Sequence, residues 1–180
     1  MPSTYTLKIC GLERELPLCP LNESLSIAAF VMFGDVELTI TAASELLSRV
    51  PEFDYIVTPE AKSIPLAYEL SRQSGKKYLV ARKKAKLYMS APVSVHVRSI
   101  TTEGVQTLML DSSEGALLRG RRVLIVDDVI STGESLAAVE ALCEKFGANV
   151  VAKAAVLAEG DAMLRKDITV LGELPIFSNQ

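Results

Sequence analysis

The sequence predicts an α/β fold: a central, mainly parallel sheet flanked by helices. Three observations carry this. From Phe53 onward, short apolar runs alternate with amphipathic stretches in the rhythm strand, helix, strand. Val123–Val126 is a run of four branched apolar residues, the pattern of a strand covered on both faces. Gly75 and Gly147 each follow a helical pattern, where a left-handed closing residue belongs.

Taken in order, residues 1 to about 50 read as irregular, with a short strand at Tyr5–Ile9. Gly11 breaks that strand, and Pro17 and Pro20 follow. Asn22 or Ser24 is read as the cap of a short apolar helix running to Phe33. A second helical pattern ends near Val50, with Ala43, Leu46, Leu47 and Val50 on one face. Asp54–Val57 is a strand, Ala61–Ser74 a helix and Tyr78–Ala81 a strand. Val93–Ile100 and Val105–Leu110 form a β-hairpin around Glu103-Gly104. The buried run at Val123 leads to a helix over Glu134–Phe146, and Val150–Leu157 and Ile168–Leu171 complete the strands. No repeat, low-complexity tract or Pro/Gly linker divides the chain, so residues 1–180 read as one domain with a core over 53–171. In such a sheet, ligands bind outside the carboxyl ends of the strands.

Composition narrows the function. Of 180 residues, 49% are hydrophobic and 23% charged, the balance of a globular protein that can bury a real core. The net charge of -3 supplies no basic field for nucleic acid or an anionic membrane. Cys10, Cys19 and Cys143 have no close metal-ligand spacing, and their odd number argues against a disulfide framework. The start of the chain lacks the apolar core of a signal peptide, and no run of about 18 apolar residues is present. The expectation is a cytoplasmic protein without membrane or nucleic-acid partners. His96, the single histidine, falls in a strand pattern and reads as a surface residue.

The chemistry is concentrated in Val123-Leu124-Ile125-Val126-Asp127-Asp128-Val129-Ile130-Ser131-Thr132-Gly133-Glu134-Ser135. A buried strand ends in two adjacent carboxylates, followed by a short polar loop and the start of a helix. Helix N-termini present unpaired N–H groups and a positive dipole end. Ser131, Thr132 and Ser135 add hydroxyls, and Gly133 lets the backbone wrap an anion closely. The carboxylates repel a phosphate but suit sugar hydroxyls or a Mg²⁺ shell. The segment therefore suits a phosphorylated sugar gripped at both ends. The plainer alternative is an acidic turn before a capped helix. A nucleotide-hydrolase strand of the Walker B kind needs an upstream G-x-x-x-x-G-K-[ST] loop, which is absent.

This segment resembles the signature by which type I phosphoribosyltransferases bind phosphoribosyl pyrophosphate (PRPP). The resemblance implies that Asp127 and Asp128 face the ribose 2′- and 3′-hydroxyls and that Ser131, Thr132, Gly133, Glu134 and Ser135 cradle the 5′-phosphate. Many relatives have glycine where this chain has Glu134, so its carboxylate must point away from the phosphate. The resemblance further implies a small hood built from the first 50 residues, a β-hairpin insertion, a homodimer, and Mg²⁺ held mainly through PRPP with Asp127 and Asp128 as candidate ligands.

Two further segments gain meaning beside it. Thr58-Pro59-Glu60-Ala61-Lys62-Ser63 follows a strand and, taken alone, is a helix start with Glu60 in the first turn. It resembles the family's pyrophosphate loop, with Lys62 and Ser63 where adenine phosphoribosyltransferases tend to have Arg and Gly. Arg82-Lys83-Lys84-Ala85-Lys86 puts four cations in five positions, which alone is a solvated basic loop. It resembles the start of the family's catalytic flexible loop. The resemblance thus implies pyrophosphate binding by Glu60, Ala61, Lys62, Arg82, Lys83 and Lys86, and catalytic roles for Arg82, Asp127 and Asp128.

The hairpin between the basic loop and the PRPP segment is similar to the adenine and xanthine phosphoribosyltransferase branch. The implied reaction is transfer of 5-phosphoribosyl from PRPP to a purine, adenine first, with release of pyrophosphate, in purine salvage. The alternatives are an orotate phosphoribosyltransferase, whose sequences resemble this chain at Ile130–Gly133 and Arg82–Lys86, and a PRPP-sensing regulator of the same fold.

Overall fold

The structure is a computed structural model and describes residues 4–98 and 105–179. The chain starts as a hairpin. β1 (Thr4–Ile9) pairs antiparallel with β2 (Leu12–Pro20). The turn residues Cys10 and Gly11 both take positive φ, 53° and 75°, which matches the strand twist a two-residue hairpin needs. Leu7, Ile9 and Leu16 point inward. β3 (Leu25–Ala28) adds antiparallel to β2. The expected helix from Asn22 or Ser24 to Phe33 is therefore a strand followed by extended chain. The Asn22 side chain accepts from the amides of Ser24 and Leu25, both at 2.9 Å, a turn that feeds a strand instead of capping a helix. Pro17 does not break β2, because its carbonyl still accepts from the Ala29 amide (2.9 Å). Three strands, β1 to β3, thus lie in the region expected to be irregular.

α1 (Val36–Leu47) is capped by Asp35, whose carboxylate accepts from the Leu38 amide at 3.1 Å. β4 (Tyr55–Pro59), α2 (Ile64–Ser74) and β5 (Lys77–Ala81) follow. Gly75 closes α2 with φ 70°. β6 (Pro92–Arg98) and β7 (Val105–Asp111) form the expected hairpin. Its predicted turn at Glu103-Gly104 lies outside the described residues. A short helix, α3 (Ser112–Ala116), leads to β8 (Arg122–Ile130), α4 (Glu134–Lys145) and β9 (Asn149–Glu159). A 3-10 turn over Gly160–Leu164 precedes β10 (Thr169–Leu174) and β11 (Ile176–Ser178).

The central sheet has the order β10-β9-β8-β4-β5, with every neighbouring pair parallel. A second sheet, β1-β2-β3-β11, is antiparallel. It joins both ends of the described chain, and Asn179 donates its amide to Ser24 O (2.8 Å). The predicted buried strand is the middle of the parallel sheet. Leu124 and Val126 face a core with Leu38, Leu46, Leu66 and Leu70. Val123 and Ile125 face a second core with Leu108, Leu136 and Leu142. Apolar residues on both faces explain the unbroken apolar run.

From β4 the chain passes through α2 to β5 on one side, whereas β8 leads to β9 and β10 on the other. The strand order reverses between β4 and β8, and the crevice outside their carboxyl ends is where α/β sheets bind ligands.

Candidate functional site

Two strand ends build this crevice, and buried hydroxyls join them. Thr58, near the end of β4, is hydrogen-bonded to Ser63 Oγ (2.7 Å) and donates to Val126 O on β8 (3.0 Å). Thr58 and Ser63 are both buried. The bonds fix the loop after β4 against the residue that precedes the carboxylate pair.

Asp127 and Asp128 emerge where β8 leaves the core. Asp128 is buried, and its Oδ2 makes no hydrogen bond. Lys62 Nζ lies 3.5 Å from that oxygen, close enough for an ion pair but without hydrogen-bond geometry. A buried, unsatisfied carboxylate oxygen is costly unless a ligand serves it. Asp127 accepts from the Asp128 amide (2.9 Å). Burial, and then the neighbouring Asp128 charge, raise the Asp127 carboxyl well above its ordinary range. Two crowded carboxylates at a strand end suit hydroxyl donors or a cation.

Beyond the pair, Ser131 and Thr132 are exposed and Gly133, Glu134 and Ser135 half-buried. With Asp127 they line a small open cradle of 40 Å³. Gly133 takes φ 80° at the start of α4, a conformation open to glycine. The Glu134 amide approaches Thr132 Oγ1 at 3.5 Å. The cradle combines hydroxyls with the amide end of a helix, the composition of an anion site.

The two basic segments meet at Glu60. Its carboxylate accepts from the Lys83 amide (3.0 Å) and stands 3.5 Å from Arg82 Nη2 and 3.7 Å from Lys86 Nζ. These contacts hold the Glu60 carboxyl below its usual range, the Lys83 bond foremost. The Glu60–Ala61 peptide is cis. Glu60, Ala61, Lys83, Lys84 and Lys86 surround an open cavity of 260 Å³. Arg82 is anchored through paired backbone bonds with Met109 on the hairpin (2.8 and 2.9 Å), and its buried Nε has no partner.

Sequence reasoning gave no role to three residues in or beside these segments. Thr58 supplies the buried link between the strands. Glu159, half-buried at the end of β9, has a carboxyl raised by burial and lowered in part by Lys62. Arg165 packs against Gly133. Thr58 opens the Thr58–Ser63 segment, whereas Glu159 and Arg165 lie in no motif; the parallel strand order brings them to the crevice. His96 is exposed and bonded to Thr107 (2.9 Å), as a surface residue should be. A larger cavity, 420 Å³ between α1 and α2, is mostly apolar and contains none of the predicted site residues. Chemistry, not size, places the site at the strand ends.

Comparison with known proteins identifies the family. The phosphoribosyl transferase domain family matches residues 37–174. A hypoxanthine/guanine phosphoribosyltransferase of Methanococcus voltae is 36% identical over 135 residues, 74% of this chain and 68% of that protein. An adenine phosphoribosyltransferase of Rhodococcus jostii is 35% identical over 127 residues, 70% of this chain and 69% of that protein. The crystal structure of adenine phosphoribosyltransferase from Saccharomyces cerevisiae, complexed with an imino-altritol bisphosphate and adenine, superposes with a TM-score of 0.70 at 25% identity, covering 87% of this chain and 93% of that one. The chain belongs to the phosphoribosyltransferase family, a class of pentosyltransferases, and has its α/β fold.

Proposed function

We propose that this protein transfers the 5-phosphoribosyl group of PRPP to a purine base, adenine first, and releases pyrophosphate. One observation carries the reading. A carboxylate pair with an unsatisfied buried oxygen and a hydroxyl-lined helix start stand side by side at the switch point of the sheet. In this reading Asp127 and Asp128 receive the ribose hydroxyls, and Ser131, Thr132, Gly133, Glu134 and Ser135 hold the 5′-phosphate, chiefly through backbone amides. Ala61, Lys62, Arg82, Lys83 and Lys86 hold the pyrophosphate. Glu60, whose carboxylate is already engaged by the Arg82 and Lys86 side chains and the Lys83 backbone amide, orders that cationic loop instead of meeting the anion itself.

As the bond between ribose C1′ and pyrophosphate breaks, positive charge grows on the sugar and negative charge on the leaving oxygen. The cations around the 260 Å³ cavity stabilise the leaving group. Holding the base nitrogen near C1′ supplies much of the acceleration, and no protein nucleophile is needed. Among the described residues, no group of three or more His, Cys, Asp or Glu side chains could hold a metal by itself. Mg²⁺ characteristically uses one or two carboxylates plus substrate phosphates, so Asp127 and Asp128 together with PRPP fit it. When bound, it neutralises charge on the pyrophosphate.

The antiparallel sheet at the chain ends is our candidate hood over the base, within a single domain. A homodimer and a cytoplasmic location belong to the same reading. No described helix is long and apolar enough to cross a membrane.

The Methanococcus voltae relative favours a second reading, with hypoxanthine or guanine as the acceptor. Pyrophosphate release from PRPP with Mg²⁺ and a panel of adenine, hypoxanthine, guanine, xanthine and orotate separates the two. The first reading expects adenine to give the highest kcat/KM. Release with hypoxanthine or guanine alone establishes the second, and no release with any of the bases leaves a PRPP sensor.

A further inference from the structure

The loop Ser131–Ser135 contains no lysine or arginine; it includes Glu134 and follows Asp127 and Asp128, all three acidic. A phosphate dianion entering this loop meets amides and hydroxyls, but also several like charges. A cation nearby would offset them, and the structure supplies one from a distant part of the sequence. Arg165 follows the 3-10 turn between β9 and β10. Its Nη1 lies 2.6 Å from the position a Cβ on Gly133 would occupy. The guanidinium therefore fills the space that residue 133 leaves by being glycine.

Its orientation is fixed from behind. Nε and Nη2 donate to the two carboxylate oxygens of Asp167 at 2.9 and 2.7 Å. Asp167 also pairs with Lys153 (2.9 Å), which reaches Glu140 on α4 (3.1 Å). This network ties the β9–β10 connection to the helix whose N-terminus carries the loop. The fork uses Nε and Nη2, and Nη1 is the nitrogen that meets Gly133. A guanidinium is planar and permanently charged, so a fork on one edge sets the direction of the other.

We propose that Arg165 is a positioning residue for the 5′-phosphate: it braces Gly133 and supplies the cationic charge that the phosphate loop itself lacks. The inference rests on the assignment of Ser131–Ser135 to the phosphate.

Binding of ribose 5-phosphate and of pyrophosphate, measured by calorimetry, tests it, because only the first carries the 5′-phosphate. Arg165→Gln should weaken ribose 5-phosphate about tenfold, the scale of one charge-assisted contact, and leave pyrophosphate unchanged. Arg165→Lys should recover part of the loss. The phosphate gains its second charge near pH 6. Wild-type affinity for ribose 5-phosphate should therefore rise between pH 5 and pH 7.5 more than that of Arg165→Gln, a difference that bracing alone would not produce. Asp167→Asn, which loosens the fork but keeps the cation, should cost less than Arg165→Gln. Thr132→Ala controls for the underlying assignment. If Thr132→Ala weakens ribose 5-phosphate and Arg165→Gln does not, the role of Arg165 is overturned and the loop assignment stands. If the wild type does not bind ribose 5-phosphate, or Thr132→Ala leaves it unchanged, the loop assignment falls and takes this inference with it. Equal loss of both ligands in Arg165→Gln, or losses in Asp167→Asn as large as its own, reduce Arg165 to a structural clamp.

Discussion

Lys62 Nζ stands 3.5 Å from Asp128 Oδ2, so the loop after β4 and the carboxylates at the end of β8 form one electrostatic unit. The partners are unequal: the Lys62 side chain is 57% exposed and that of Asp128 5%. An ion pair with one partner so exposed contributes only about 0–1 kcal/mol to folding. In the proposed function, the same lysine beside a bound pyrophosphate makes a charge-assisted contact of about 1.5–3 kcal/mol. Lys62→Ala should therefore leave the thermal midpoint nearly unchanged and raise the KM for PRPP about tenfold or more. Steady-state kinetics beside scanning calorimetry check both halves.

The carboxylate pair carries a pH signature. Burial and the charge of Asp128 raise the Asp127 carboxyl above its ordinary value of 3.8. A carboxyl raised in the folded state binds protons more tightly there than in the unfolded chain. Its contribution to stability is thus greatest below 3.8 and declines as pH rises toward its folded value. Ribose hydroxyls donate better to a charged carboxylate, so PRPP affinity should rise as pH passes upward through that folded value. Asp127→Asn should flatten both trends, leaving only the ionisation of the ligand's own phosphates. Urea unfolding and PRPP titration at several pH values provide the readout. In the double variant Asp127→Asn with Asp128→Asn, PRPP affinity should fall; wild-type affinity there would refute the ribose assignment.

Thr58 offers a test of the scaffold under the site. Its buried hydroxyl bonds Ser63 Oγ and the Val126 carbonyl. Thr58→Val keeps the shape and leaves those buried groups short of a partner, which costs about 1–3 kcal/mol. The urea midpoint should fall with an unchanged slope, because the surface exposed on unfolding stays the same.

How much of this could be read from the sequence depended on whether the signal was contiguous. β8, α2 and α4 were legible because unbroken apolar runs and closing glycines are local features. The carboxylates and the phosphate-type loop were legible for the same reason, since they follow one another in a single segment. The antiparallel sheet was not. Gly11, Pro17 and Pro20 read as breakers, whereas Cys10-Gly11 is the turn of a hairpin and Pro17 keeps its acceptor in the ladder. β11 pairs with β3 across nearly the whole chain, and no local pattern announces such a partner. Within the site, the approach of Lys62 to Asp128 and of Arg165 to Gly133 follows from the order of the parallel strands. Pairings across that distance have no spacing to betray them.

Glu60 allows kinetic roles to be separated. Its carboxylate pairs with the Arg82 and Lys86 side chains and accepts from the Lys83 backbone amide, three residues assigned to pyrophosphate. Glu60→Gln has two opposed effects. Removing a negative charge beside the 260 Å³ cavity lowers repulsion toward a pyrophosphate carrying several negative charges, which strengthens ground-state binding. Releasing Arg82 and Lys86 from a fixed acceptor costs orientation, which matters most when the leaving oxygen gains charge. Arg82 remains anchored by its two backbone bonds to Met109, so the loop stays attached while its side chains loosen. The expected outcome is a lower inhibition constant for pyrophosphate, by a few fold, together with a kcat about tenfold below wild type. Product inhibition at fixed base, with PRPP varied, measures the first, and saturating turnover the second. Equal losses in both would mean that Glu60 only supports the loop, and unchanged kcat would show that the cations need no ordering.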